Sequence, residues 1–514
     1  MGARARTAWT DATFLTEPGE HATTVLTDDR GVIVAVGGDE LTAHAARVER
    51  LGGRVVSAGL WDSHLHWVGL AEAGLRLDLT TVASLEALYR RVAEAVETKP
   101  RGQMVVGAGW NQNRWGGQLP DLAGLDRVAP AHPVVLWARD HHGLVANSAA
   151  YRELFGGEDP QDPLGGHYDR VQGRLTGMAR EKAADELWSR VPPLRPDEVA
   201  RALPPVRQRL AALGLVGATG MEPGRWLEVL AADFREGGFR TQIFSTEASD
   251  EVREWLSRPD PEAAAWFRLV GYKLFADGAL GTRTAAVSAP YADTGGTGVW
   301  RQPVGELAAA VEALAAGGAA ALAVHAIGDA AVSAATAMLA RAPAAVSGVR
   351  HRVEHAQLVM PDDIPAVAAA GLVASMQPVH LLDDRWAMTQ AGVHWQAIGF
   401  PLASLATAGV PLLLGSDAPV ETPDPVLGMQ AAVWRGREGE DAWHPEEALT
   451  PWQALAGYTS GPAAADRRHG GRITPGAWAD FTVYDRDPLG ALTHHEPFSV
   501  VGTVVASRWT YRRF

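Results

Sequence analysis

Two histidines, His64 and His66, close the run Val55-Val56-Ser57-Ala58-Gly59-Leu60-Trp61-Asp62-Ser63-His64-Leu65-His66. Residues i and i+2 of a strand point to the same face, so these two imidazoles are placed to share a metal ion. Four further residues follow in order: Lys273 in Gly-Tyr-Lys-Leu-Phe-Ala-Asp-Gly, His325 in Ala-Val-His-Ala-Ile-Gly-Asp, His355 in Arg-Val-Glu-His-Ala-Gln, and Asp417 in Leu-Leu-Leu-Gly-Ser-Asp-Ala-Pro. Each lies in or closes an apolar or β-branched segment. Neutral imidazole and carboxylate suit zinc, with manganese, iron or nickel as alternatives. An ammonium repels a metal, so Lys273 joins such a site by taking up carbon dioxide to become a bridging carbamate. Otherwise it is a plain cation paired with Asp277, or a ligand in a one-metal site. Metal-bound water loses a proton near neutral pH and attacks a polarised carbonyl. Asp417 is suited to accept that proton and pass it to a leaving amine; the alternative is that it caps the following helix.

Such residues need a scaffold that gathers strand ends. Between about residues 58 and 469, apolar strand-like runs alternate with helical patterns. Candidate strands are 55–60, 215–221, 239–246, 268–275, 320–325, 349–354, 372–377 and 410–416, and helices such as 83–97, 197–213, 305–316, 329–341 and 362–370 fall between them. Eight β/α repeats predict a parallel (β/α)8 barrel, whose sites lie at the C-terminal ends of the strands. His64 and His66 then end strand one, Lys273 lies on four, His325 on five, His355 on six and Asp417 at eight. Residues 1–57 and 470–514 both read as short strands broken by Asp and Gly, too few at either end for an independent domain. Together they predict one small β-sandwich. A long insertion, 98–192, interrupts the first barrel connection and has the length of a lid or binding element.

The chain has 514 residues, enough for more than one domain. Its net charge of -14, with no Lys/Arg-dense block, disfavours nucleic acid as a partner and leaves a small molecule as the expected one. With no cysteine, disulfides and thiolate zinc sites are impossible, in keeping with a cytoplasmic location. Leu307 to Ala340 is the most apolar long segment, but Glu312, Gly317-Gly318, His325 and Asp329 interrupt it, so no membrane span is expected. No apolar core follows Arg4 and Arg6, so no signal peptide is expected. A homodimer stays open.

The ordered set of HxH, Lys, His, His and Asp resembles the amidohydrolase superfamily, and the flanking words resemble its family-3 group, often called YtcJ-like. These words are Gly59-Leu-Trp-Asp-Ser-His-Leu-His66, Asn147-Ser148-Ala149, Lys273-Leu-Phe-Ala-Asp-Gly-Ala-Leu-Gly281, His325-Ala-Ile-Gly-Asp329, Glu354-His355, Gln377-Pro378-Val-His380, Gly415-Ser-Asp-Ala-Pro-Val420 and Gly476-Ala-Trp-Ala-Asp-Phe481. The resemblance spans essentially the whole chain. It implies a metal-dependent hydrolase of non-peptide carbon–nitrogen bonds, on a distorted barrel with a small β-sandwich, carrying one or two divalent ions. Deformylation of N-substituted formamides is one activity in the group. A deaminase or lactonase on the same scaffold is the alternative, and a non-catalytic metal-binding relative the more distant one. Ala58 stands where the family has proline. Asp140-His141-His142 stands where it has Asp-Gly-His, and the strand-two end Ala218–Glu222 departs from the pattern. Trp110, His142, Asp277, Gln377 and His380 are the candidate substrate contacts, with core packing the alternative for Trp110.

Overall fold

The computed structural model describes residues 6–138, 143–257, 263–316, 320–390 and 397–514. Eight parallel strands follow one another around a barrel: Leu60–Leu65, Leu215–Glu222, Arg240–Ser245, Phe267–Phe275, Ala321–Ala326, Arg352–His355, Val373–Met376 and Leu412–Leu414. Every residue of the first, second, third, sixth, seventh and eighth strands is buried. Strands covered on both faces tend to read as near-continuous apolar runs, as the fifth, seventh and eighth do, whereas the first, third and sixth each bury three or more polar or charged residues. The eighth strand is too short to pair fully with the first. Instead the residues just beyond both complete the circle: the Asp417 N–H donates to the His64 carbonyl (2.7 Å) and the His66 N–H to the Ala418 carbonyl (2.8 Å).

The two chain ends form one mixed sheet of eight strands. Arg47–Ala58 pairs in parallel with Thr7–Glu17 and antiparallel with Phe481–Tyr484, so the N- and C-terminal segments share one ladder. Trp9, Phe14, Val25, Val56, Phe481, Val483 and Val504 fill its core. Arg240, at the start of the third barrel strand, reaches Asp480 of this segment through a two-pronged pair (2.7 and 3.2 Å). Both side chains are 4% exposed.

Residues 71–202 form a second compact unit. Its six strands run, in sheet order, Gly166–Val171, Arg174–Glu181, Gly143–Ala146, Val134–Ala138, Val105–Trp110 and Leu77–Asp78. Alternation along Val134–Ala138 serves both faces. Val134, Leu136 and Ala138 pack with Leu88, Val92 and Leu125, while Val135 and Trp137 pack with Tyr151, Tyr168 and Leu187. The helix expected at 83–97 is found at Leu85–Glu97, started by the Ser84 side chain accepting from the Ala87 N–H, and it belongs to this unit's core. Among the described residues no helix is long and apolar enough to cross a membrane.

The Arg240–Asp480 pair makes a direct prediction. Removing one partner of a buried ion pair leaves the other uncompensated, at a cost of about 3–5 kcal/mol. Asp480→Ala should therefore lower stability by that amount in urea unfolding, and Arg240→Met added to Asp480→Leu should recover much of the loss. An Asp480→Ala protein as stable as wild type would show that the pair does not hold these elements together.

Candidate metal centre

His64 is the fifth residue of the first strand, and His66 follows its end. Lys273 lies within the fourth strand, His325 and His355 near or at the ends of the fifth and sixth, and Asp417 three residues past the eighth. His64, His355 and Asp417 present ligand atoms that all lie within 4.8 Å of one another, and all three are buried. His66 joins them with its Nε2 3.0 Å from Asp417 Oδ1, and His64 Nε2 is 3.4 Å from the same oxygen. The His325 ring centroid lies 4.5 Å from that of His355. Lys273 is 4% exposed, and its Nζ has no hydrogen-bond partner.

The ring nitrogens that face away are each committed to an acceptor. His64 Nδ1–H donates to Glu354 Oε2 (2.6 Å), His66 Nδ1–H to the Met221 carbonyl (3.0 Å), and His355 Nδ1–H to Gln377 Oε1 (2.8 Å). In His325 the roles are reversed, with Nε2–H donating to the Gly278 carbonyl (3.0 Å). A carbonyl or a carboxylate only accepts, so each contact fixes the proton on that nitrogen and leaves the other bare. Glu354 can serve in this way because it stays ionised: burial pushes its carboxyl up, but His64, Lys273 and Arg352 pull it down to about 2.

The Nε2 atoms of His64 and His66 both face Asp417 Oδ1. Burial pushes the Asp417 carboxyl up, but His64, His66 and His355 pull it well below the usual range. Acceptor against acceptor at 3.0–3.4 Å is unfavourable unless a proton or a cation lies between them. His66 is held above its ordinary value, since the hydrogen bond and charge of Asp417 outweigh its burial. Burial and the Lys273 charge depress His64 and bring His325 down to about 3, and burial followed by the His325 charge takes His355 well below its ordinary value. Three imidazoles depressed by burial, a fourth raised by the carboxylate it faces, and that buried carboxylate make a donor set that fits a divalent ion.

The remaining expected residues fall into distinct places. Gln377 is buried and turned to His355, with its Nε2–H donating to the Ser375 carbonyl (3.2 Å), so it orients a ligand. His380 Nε2 is 3.9 Å from Asp417 Oδ2 and has no hydrogen-bond partner. Asp277 accepts from the backbone N–H groups of Ala286, Ile327 and Gly328 (2.8–3.1 Å), which braces a loop, and its Oδ1 is 3.4 Å from His325 Nε2. Trp110 is 1% exposed in the 71–202 unit, its indole N–H donating to the Leu136 carbonyl (3.0 Å), and it packs in that unit's core while also lining a pocket with Gln112, Met178 and Arg180. His142 lies outside the described residues.

Two acidic residues went unassigned by the motif reading. Glu354 sits one residue before His355, where simple alternation would send it to the other face. His355 has φ 72°, and that left-handed turn lets neighbours reach the same centre. For Glu354, its place beside His355 in the Glu354-His355 pair was the available signal. Glu222, buried at the end of the second strand, accepts from the Trp67 and Val68 N–H groups at the start of the helix Trp67–Leu75, and burial raises its carboxyl to about 7.

The sequence profile of the amidohydrolase family matches residues 47–511. The chain is 32% identical over 464 residues to YtcJ of Bacillus subtilis (strain 168), which carries an amidohydrolase name, with 85% of each chain covered. It is 27% identical over 477 residues to the N-substituted formamide deformylase of Arthrobacter pascens, covering 87% of this chain and 86% of that one. A metal-dependent hydrolase of Pyrococcus horikoshii OT3, known from its crystal structure, superimposes with a TM-score of 0.78 at 25% identity. That match covers 96% of this chain and all of the other.

The burial of Lys273 sets a pH dependence in the metal-free protein. Burial lowers its amine from 10.5 to about 8, against the opposing pull of Glu354 and Asp417. Between those two values the unfolded chain binds the proton and the folded chain does not, so stability rises with pH across that window and is flat below it. Relative to Lys273→Met, wild type should gain on the order of 3 kcal/mol between pH 8 and 10.5. Urea unfolding of chelator-treated protein in carbon-dioxide-free buffer reads this. A pH-independent difference between the two proteins would show that the amine is not desolvated.

Proposed function

We propose how this chain works from its ancestry: it belongs to the amidohydrolase family and is a metal-dependent hydrolase of carbon–nitrogen bonds other than peptide bonds. His64, His66, His325, His355 and Asp417 would hold one or two divalent ions, zinc by their nitrogen-and-carboxylate character. What supports the reading is the meeting of His64, His355 and Asp417 ligand atoms within 4.8 Å of one another, with His66 Nε2 3.0 Å from the same carboxylate. A divalent ion supplies a water acidified to near-neutral pKa and a Lewis acid for a carbonyl oxygen.

The chain's own groups do the rest. Asp417 takes a proton from the attacking water and returns it to the leaving amine, so one carboxylate is base and then acid. Glu354, Gln377 and the carbonyls of Met221 and Gly278 keep the four imidazoles in one tautomer through the cycle. His380, beside Asp417 Oδ2 and unengaged at Nε2, is placed to steady the polar end of a substrate. Lys273 is set up for carbamylation. Its buried Nζ has no partner to satisfy, and the free amine adds to carbon dioxide with loss of one proton. The product carries a negative charge where an ammonium would repel the metal. The substrate is a small amide, and the name of the Arthrobacter relative makes N-substituted formamides the first to try.

Metal analysis combined with a panel of formamides, other small amides and lactones tests this reading. Purified protein should carry about one or two divalent ions per chain, and His64→Ala should lower that content. Carbon-13-labelled bicarbonate should yield a carbamate resonance that Lys273→Ala abolishes. A fully metal-free yet active enzyme would overturn the assignment, and turnover of lactones alone would reassign the bond cleaved.

Asp417→Asn separates base from ligand. Asn keeps the size and one oxygen but cannot take a proton, so most of the metal should stay while kcat falls by roughly 10²–10⁴. Near-wild-type kcat in that variant would place the base elsewhere.

A further inference from the structure

At the other end of the barrel the strand starts enclose a pocket of about 380 Å³, lined by Trp61, Arg240, Arg268, Arg467, Arg468 and Trp478 among others. Arg268 is the second residue of its strand and Lys273 the seventh, so this pocket lies about 16 Å along the strand from the metal centre. Its charges do not cancel. Arg240 is matched by Asp480. Asp466 is engaged by Arg352 Nη2 and Gln242 Nε2, both at 2.5 Å. Among the described residues Arg268 donates to uncharged acceptors, Gln242 Oε1 (2.9 Å) and the Asp466 carbonyl (2.6 Å).

Arg468 is the most exceptional of these. Its side chain is 6% exposed, and its nearest carboxylate oxygen, Asp466 Oδ2, is 3.8 Å from Nε. Neither Nε nor Nη2 has a hydrogen-bond partner. The guanidinium lies 3.6 Å over the Trp61 ring, so it is held in place by stacking while its donors stay unused. Buried guanidinium donors without acceptors are costly. Of the four arginines lining this concave pocket, Arg268, Arg467 and Arg468 thus have no carboxylate within hydrogen-bond distance among the described residues, in a chain whose net charge is -14.

We propose that this pocket binds a small doubly charged oxyanion of the phosphate or phosphate-monoester class, taken up by the free donors of Arg468 and by the charge of Arg268. Guanidinium forks match such oxygens in pairs. The volume exceeds that of bare phosphate and leaves room for a small organic group. Burial pulls the Arg468 guanidinium down to about 9, against the pull of Asp466 and Asp480, and still leaves it charged at neutral pH. The proposal does not depend on the reaction at the metal centre.

Isothermal titration of metal-loaded enzyme with inorganic phosphate, at constant ionic strength set with chloride, tests it. One site per chain is expected, weakened at least tenfold by Arg468→Met and several-fold by Arg268→Gln, and retained in His64→Ala. Should Arg468→Met fail to fold, Arg268→Gln carries the comparison. Binding that survives both arginine variants but is lost in His64→Ala places phosphate on the metal centre and overturns the proposal. So does equal heat from chloride, or no saturable binding.

Discussion

The seam between the first and eighth barrel strands is the constraint on which the centre depends. The eighth strand contributes only Leu412–Leu414, and closure is completed by turn residues rather than by a ladder. Asp62 holds the seam from inside. Its Oδ1 accepts the N–H groups of His64 (3.0 Å) and Ser416 (3.1 Å), and its Oδ2 accepts the Ser416 hydroxyl (2.6 Å). Burial raises this carboxyl to about 7 against those bonds, so the brace carries a real desolvation cost. The same backbone bonds that close the barrel place His64, His66 and Asp417 side by side. A slip of one residue at the seam would turn every neighbouring side chain to the opposite face and would dismantle the ligand set with the closure.

From the centre a line of buried charge descends the barrel. His64 rests on Glu354, Glu354 Oε1 lies 3.8 Å from Arg352 Nε, and Arg352 Nη2 meets Asp466. All four side chains are within 1% of complete burial. Replacing such a line with well-packed apolar groups would often cost nothing in stability. Its role is to keep Glu354 ionised with a fixed aim and so to hold the tautomer of His64. Rigidity of the metal ligands and burial of charge are two sides of one arrangement.

The buried cluster of His64, His355 and Asp417 was legible in the sequence because each lies near or just past the end of an expected strand, and the strands were legible from their alternation with helical patterns. The groups that orient the ligands were not. Two of the four are backbone carbonyls, of Met221 and Gly278, which carry no side-chain signature. Glu354 enters the motif only as the neighbour of His355 and is given no role of its own there. The lid-like insertion expected at 98–192 lies within a compact unit spanning 71–202, whose first strand, Leu77–Asp78, is only two residues long and is followed by a helix of ordinary barrel type. Asp277 looked like a substrate contact because it neighbours Lys273 in sequence, yet three backbone donors occupy it.

Left-handed backbone at the ligands follows from the same geometry. His355, Ala356 and Asp417 have φ of 72°, 43° and 61°. None is glycine, and such conformations cost of order 1–3 kcal/mol each. An ordinary extended continuation at Glu354-His355 would send one of the two residues out of the barrel, so His64 would lose its orienter or the metal a ligand. The Ala356 N–H still finds acceptors, the Ala326 and Glu354 carbonyls at 3.0 Å, and the Asp417 N–H finds His64 across the seam. The turns therefore keep their hydrogen bonds while giving up conformational ease. Strain is concentrated where two adjacent side chains must serve one centre.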